Sequence, residues 1–504
     1  MKKKFWGAST LFLSVILALS GCGGGDAASS EGKNNAENGS AVDELTVVMP
    51  MVGTQPADFE LIEKEISKIA EEKIKAKVKF RPVSIADWQQ QTNLMFASHE
   101  KMDLVFVSGN TYSNMVAKGQ LVPLNELIEK EGKGIVPALG EDYINAVKIK
   151  GESYAVPTIR DLATTYGLTM RKDLVDKYQI DIKSIKTLDD AGNMLKTIKQ
   201  GEKNLSPLIP GGINRSFRDD YVWYDELSDG IGVLPNYDND LKIVDLFETP
   251  EYADFIKTIR GWYKDGLILS DASTNKTSTF DLIKSGKGYA YFARQKPGFA
   301  ENEKKASGVE LTVAELEAPV ATTGTVTSAM WGIPINSELP DKAMAFLNMM
   351  FTDKEVINLF DWGIEGKHYV KVEGSDHVID YPKGVDASNT GYNMPLGWMF
   401  GNQFLSYVMK GDDPDIWVKT DEFNKKAKHS KALGFVFDTS PVKTEYAAVS
   451  NVITQYKLPL ETGSVDPDKI LPEFIAKLKS SGIDKIIAEK QKQLDEWAKE
   501  KGVE

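Results

Sequence analysis

Residues 44–51, Glu-Leu-Thr-Val-Val-Met-Pro-Met, contain the uncharged run Leu45-Thr46-Val47-Val48-Met49, four-fifths apolar. A run so short and so apolar reads as a strand covered on both faces. Different patterns follow it. Phe59, Ile62, Ile66, Ile69 and Ile74 recur at helical spacing, and Lys77 to Pro82 alternates as a strand. Residues 87–98 read as a helix with Asp87 placed to cap it. Leu104-Val105-Phe106-Val107 is a second continuous apolar strand. The order β-α-β-α-β predicts an α/β fold built on a mostly parallel sheet flanked by helices.

That topology also locates a site, because open α/β sheets bind ligands beyond the carboxyl ends of their strands. The first strand ends at Pro50-Met51-Val52-Gly53, and the later one at Ser108-Gly109-Asn110-Thr111-Tyr112. Gly109 would let a ligand approach the backbone. Asn110 offers a donor and an acceptor, and Tyr112 a flat apolar face with a polar tip. The alternative is a polar loop carrying one exposed tyrosine.

Upstream, Lys2, Lys3 and Lys4 precede an apolar stretch from Leu11 to Leu19, then Ser20-Gly21-Cys22. A basic start, a short apolar core and small residues before a cut site read as a secretory signal over residues 1–21. The apolar stretch is too short for a permanent membrane span. Leu19-Ser20-Gly21-Cys22 resembles a bacterial lipobox, in which the cysteine is diacylated and becomes the new N-terminus. Cys22 is the only cysteine among 504 residues. Two acyl chains, at about 0.8 kcal/mol per buried methylene, hold a protein on a membrane durably. The resemblance implies a protein anchored to the outer face of the cell membrane; the alternative is an ordinary signal peptide with a chance cysteine. Residues 22–42, rich in Gly, Ala, Ser, Asn and Glu, read as a flexible tether.

Loss of residues 1–21 removes three lysines and no acid, taking the net charge from −13 to −16. So acidic a surface argues against nucleic acid and against charge-driven attachment to anionic lipid. With 42% apolar residues the chain can bury a full core, and its length points to two or more lobes. A single cysteine excludes an internal disulfide.

Residues 151–171, Gly-Glu-Ser-Tyr-Ala-Val-Pro-Thr-Ile-Arg-Asp-Leu-Ala-Thr-Thr-Tyr-Gly-Leu-Thr-Met-Arg, combine a short strand, a polar turn and an aromatic-Gly-apolar strand. This segment resembles the first crossing between lobes in extracellular solute-binding proteins of sugar ABC transporters. The same family is matched by Leu188-Asp189-Asp190 and Thr249-Pro250-Glu251-Tyr252 at helix starts, by the return segment 283–292 and by the recrossing strand and helix of 328–347. Trp362-Gly363-Ile364-Glu365-Gly366-Lys367-His368-Tyr369, Phe437-Asp438-Thr439-Ser440-Pro441-Val442-Lys443 and the last helix, with Glu489, Gln491, Leu494 and Trp497, resemble a LipO-type lipoprotein subfamily. The resemblance implies a two-lobed periplasmic-binding-protein type II fold, with mixed sheets flanked by helices and lobes joined by crossing strands. It implies an N-lobe of residues 43–158 plus about 322–385, and a C-lobe of 159–321 plus about 386–504.

Catalytic sets find little support. His99, His368, His377 and His429 form no HExxH; there is no GxSxG elbow; Ser285-Gly286-Lys287-Gly288 is not a P-loop; and no GxGxxG follows a strand. Residues 179–186, where alginate-binding relatives carry calcium, lack alternating Asp and Asn. No metal and no cofactor are expected. Asp412, Asp413 and Asp415 surround Pro414 and read as a solvated turn, while carboxylate pairs suited to glycoside hydrolysis stay open to geometry. Sugars are held by flat aromatic rings and by polar side chains that pair with hydroxyls. The candidates near crossings are Trp223, Trp331, Trp362 and Trp398, with Phe292 in the return strand; Gly332 and Gly397 leave room beside Trp331 and Trp398. Arg160 and Arg294 flank the crossings. Each tryptophan has a core-packing alternative and each arginine a surface ion pair. Glu365 and Lys367 read as fixing a turn.

The expectation is a monomeric, lipid-anchored receptor that captures a carbohydrate for an ABC permease by hinge closure and performs no chemistry. A secreted polysaccharide hydrolase and a sensor subunit for a membrane kinase are the alternatives.

Overall fold

The computed structural model describes residues 42–394 and 396–503. The segments expected to be a signal sequence and a tether, with Cys22 between them, lie up to residue 41 outside the described residues.

The expected β-α-β-α-β unit is present. Asp43–Met51 (β1), Phe59–Ile74 (α1), Ala76–Ser84 (β2), Trp88–Ala97 (α2) and Leu104–Val107 (β3) follow one another, and β1 pairs in parallel with both β2 and β3. β1 is apolar without alternation because Leu45, Val47, Val48, Met49 and Met51 are all buried, on both faces of the sheet. α1 buries one stripe, Phe59, Ile62, Ile66 and Ala70, at the spacing its sequence shows. Asp87 precedes α2 but makes no side-chain cap. The segment after β3, for which a polar loop was the alternative reading, is a helix, Gly109–Ala117 (α3), which starts two residues beyond the strand.

Two strands from later in the chain complete this sheet, in the order β2, β1, β3, Met330–Gly332, Val156–Pro157. Met330–Gly332 runs antiparallel to β3, as a recrossing strand must when it enters from the opposite side. A second sheet has the order Leu311–Glu315, Thr165–Arg171, Gly288–Gln295, Ser206–Leu208, with Thr165–Arg171 antiparallel to both neighbours. Each sheet has its own core. The first gathers Leu45 through Leu162, Ala329 through Phe360 and Tyr392 through Phe400. The second gathers Tyr166 through Val320 and Ala432 through Ala498.

The chain therefore passes between the cores three times, and the three passages lie side by side. Thr164 and Val320 exchange backbone hydrogen bonds at 2.9 and 2.8 Å, and Val320–Ala321 pairs in parallel with Lys428–His429. This is a two-lobed periplasmic-binding-protein fold. One boundary differs from expectation. The C-lobe was expected from residue 159 and again from about 386, yet Ile159, Leu162, Tyr392, Met394, Met399 and Phe400 pack in the first core. Phe400 lies flat on Phe360 with ring centroids 4.3 Å apart. The stretch 392–400 mixes Gly, Asn and Pro with apolar residues at no helical or strand period, so its sequence carries no sign of which core it joins.

Candidate functional site

A groove runs along the passages between the two cores. One part of it, a cavity of about 330 Å³, has Asp361, Trp362, Trp398 and Gln403 on the first lobe's side. Facing them are Lys296, Gly298, Glu301, Asn302 and Lys305, around the start of the helix Phe299–Ser307 in the second lobe. Trp417, Thr420 and Asp412–Asp413 close a third side. A second cavity of about 420 Å³ surrounds the passages themselves and shares Asp161 and Lys296 with the first. A third, of about 860 Å³, shares Ser228, Gly324 and Ser328 with the second and extends along α3 to Phe437–Ser440. A fourth, of about 500 Å³ on the second lobe, adjoins through Arg294 and Phe299.

The tryptophans are held in place by the residues beneath them. Trp398 packs edge-on against Phe106 at 6.2 Å, and Phe106 in turn meets Trp88 at 6.3 Å and Trp331 at 5.9 Å. Trp362 donates its indole N–H to Ser406 Oγ at 3.0 Å and to the Tyr407 carbonyl at 3.2 Å. Trp417 donates to the Ser406 carbonyl at 2.8 Å and lies along Phe404. With the N–H groups of Trp362 and Trp417 satisfied and Trp398 packed at its edge, the rings can offer faces to a ligand without first losing rotamer freedom.

The polar walls are largely self-paired. Arg160 donates to Asp161 Oδ1 at 3.0 Å, to the Thr325 carbonyl at 3.3 Å and to Ser328 Oγ. Lys296 Nζ stands 3.1 Å from Asp161 Oδ2, so Asp161 joins a crossing segment to the second lobe. Arg294 pairs with Glu226 at 3.2 Å and covers the Tyr166 ring at 5.6 Å. Lys305 pairs with Asp412, and Lys419 with Asp413. The turn 412–415, expected to be solvated, thus contributes two ion-paired carboxylates to the cavity wall. Asp361 differs from these: it is 2% exposed, and burial pushes its carboxyl up to about 7, against a hydrogen bond from Ser406 that pulls it down.

Trp362, Trp398, Arg160 and Arg294 of the sequence candidates line these cavities. Gly109 lines the largest one, at the start of α3, where a Cβ would come within 2.3 Å of Thr327 Oγ1. Its smallness thus serves the approach of α3 to that threonine. The side chain of Asn110 is outside the described residues. Three candidates are corrected. Tyr112 is 1% exposed; its hydroxyl donates to the Val147 carbonyl at 2.6 Å and accepts from the Tyr154 N–H at 3.0 Å. Trp331 is fully buried and donates to the Met399 carbonyl at 2.7 Å. Phe292 borders the fourth cavity, but its ring is buried against Phe217 and Tyr221. An aromatic beside a strand end or a glycine has the same local sequence whether its ring faces the core or the cleft. Trp223 packs among Tyr221, Tyr224 and Phe255 at the margin of the second core.

Sequence reasoning missed Trp417, Asp361, Gln403 and Lys296. Trp417 carried a signal, a tryptophan in the charge-rich helix Ile416–Lys426. The others are single polar residues in strand or helix ends, with no spacing to mark them.

The model of the bacterial extracellular solute-binding protein family matches residues 54–357, and a domain of unknown function, DUF3502, matches residues 431–499. The chain is 29% identical, over 99% of both proteins, to a carbohydrate ABC transporter substrate-binding protein of Streptococcus pneumoniae. It is 27% identical to the N-glycan transport solute-binding protein NgtS of the same organism, and superposes on its crystal structure with a TM-score of 0.79, covering 91% of this chain and 100% of that one. Against the NgtS complex with Man5GlcNAc the TM-score is 0.64, covering 92% of this chain and 100% of that one. Fold, lobe crossings and family model agree: the chain belongs to the bacterial extracellular solute-binding protein family.

Proposed function

We propose that this protein is the lipid-anchored receptor of an ABC importer and captures an oligosaccharide of the N-glycan type outside the cell. The observation that carries this reading is the inter-lobe groove, with Trp362, Trp398 and Trp417 on its walls beside paired carboxylates, guanidiniums and amides. Aromatic faces take the apolar C–H faces of sugar rings, and the polar walls take hydroxyls. The full-length similarity to a carbohydrate-binding relative and to NgtS supports the same class of ligand.

Capture works by hinge closure about the three paired passages. A ligand favours the closed form only by contacts it makes there and not in the open one. Driving the equilibrium from about 1:99 to 99:1 takes roughly 5.5 kcal/mol of such differential contact, which one ring stacked on one lobe does not supply. A chain of sugars touching both lobes does. The permease then selects the closed form, and Cys22 keeps the receptor at the membrane. The reading is tested by thermal shift of the mature protein against Man5GlcNAc, its Man1GlcNAc core, fructo-oligosaccharides and alginate oligomers. A ligand that binds only the native state raises the melting temperature. A rise with the mannosyl-GlcNAc glycans alone is expected; no rise with them rejects the proposed class.

A further inference from the structure

The last helix, Ile483–Lys501, carries Lys490 and Gln493 on one side, three residues apart, and each fastens a turn that lines the groove. Gln493 clamps the backbone of Asp438. Its Oε1 accepts from the Asp438 N–H at 2.9 Å, and its Nε2 donates to the Asp438 carbonyl at 3.0 Å. Lys490 is fully buried. Its ammonium donates to Asp229 Oδ1 at 2.6 Å and to the carbonyls of Ile231 and Gly232 at 2.5 and 3.2 Å. The same ammonium lies 4.9 Å from the centre of the Phe437 ring, so it ties segment 229–232 to the turn that begins at Phe437.

Both fastened turns reach the largest cavity, of about 860 Å³, which they share with α3. Ser228, Asp438 and Ser440 line it and are exposed. Ser228 holds its place with a φ of +82° and Leu227 with +45°, a left-handed conformation that strains a non-glycine residue. Such strain persists where the surroundings impose it, as Lys490 does through Asp229, and it gathers at ligand clamps. Asp438 is the only charged residue lining this cavity, and most of the others carry hydroxyls, which suits a neutral sugar.

We infer that Gln493 is a positioning residue for ligand binding, through which the C-terminal segment matched by DUF3502 builds the second lobe's wall of this cavity. The inference rests on the carbohydrate reading above and adds to it what residues 431–499 do. A wall already ordered costs the ligand nothing to order; released from its clamp, the turn has to be fixed at the expense of affinity.

The helix supplies its own control. Gln491 makes the same kind of clamp, accepting from the Ile243 N–H at 2.8 Å and donating to the Leu241 carbonyl at 3.0 Å, but those residues line none of the four groove cavities. Gln493→Ala and Gln491→Ala each delete two bonds to the backbone from one helix, so a general loss of stability touches both alike. In the mature protein, calorimetry with Man5GlcNAc should show affinity falling roughly ten-fold in Gln493→Ala and unchanged in Gln491→Ala. Wild-type affinity in Gln493→Ala overturns the assignment, as do equal losses in the two variants. A wild-type protein that binds none of the glycans defeats the carbohydrate reading and this inference together, whereas glycan binding that Gln493→Ala leaves intact defeats only the role given to Gln493.

Discussion

Trp417 donates its indole N–H to the backbone carbonyl of Ser406 at 2.8 Å. The hydroxyl of the same serine accepts from Trp362 at 3.0 Å, so one residue fixes two aromatic walls of the groove. These rings are far apart in sequence and belong to different helices, Lys354–Trp362 and Ile416–Lys426.

If they stack on sugar rings, Trp362→Ala, Trp398→Ala and Trp417→Ala each lose about 2 kcal/mol of binding energy, as buried aromatic anchors do. Calorimetry against Man5GlcNAc reads the loss, about 30-fold in affinity, and a melting curve beside it shows the lobes still folded.

Trp331→Ala has the opposite profile. Its ring is fully buried and faces no ligand, so the substitution destabilises the first lobe by about 3–5 kcal/mol. Urea unfolding measures this. Trp331→Phe, which keeps the ring volume better and forfeits the bond to Met399, costs less.

Asp361 makes stability depend on pH. Its carboxyl is raised to about 7 in the folded protein from a reference of 3.8. Folding therefore favours the protonated form. That contribution is fully present below about 3.8, is withdrawn as pH rises through 7 and stays lost above. Asp361→Asn removes the dependence. Its melting temperature minus that of wild type should climb between pH 4 and 7 and level off beyond; a flat difference over that window contradicts the burial argument.

Gly109→Ala places a Cβ within 2.3 Å of Thr327 Oγ1 and pushes α3 from its seat. A loss of about 1–3 kcal/mol is expected, as for other overpacked sites. Thr327→Ala in the same chain should restore much of it, and a double-mutant cycle by urea unfolding reports the coupling.

Cys22→Ala should move the protein from the membrane fraction to the medium or soluble fraction of cells that express it. Retention on membranes would count against the lipid anchor.

The frame of the fold was legible because it is written in period. The apolar runs at 45–49 and 104–107 and the helical stripe between them dictate parallel strands with a covering helix, and the two strands pair in parallel as expected. The passages between lobes were legible from segments such as 151–171, whose strand-turn-strand pattern resembles a known family. The site was legible only in outline. Trp362 and Trp398 face the groove, while Trp331, beside its own glycine, turns into the core to reach Met399. Which way such a ring points is decided by partners that arrive from elsewhere in the chain. For Trp331 these are Phe106 and Met399; for Trp362 they are Ser406 and Tyr407.

The central claim is that a glycan is gripped between two lobes and left unaltered. Small-angle scattering of the mature protein, with and without saturating Man5GlcNAc, followed by mass analysis of the recovered glycan, tests it most directly. The account predicts a smaller radius of gyration in the complex and a glycan of unchanged mass. Saturated binding with no compaction, or a glycan recovered in shorter pieces, would contradict it.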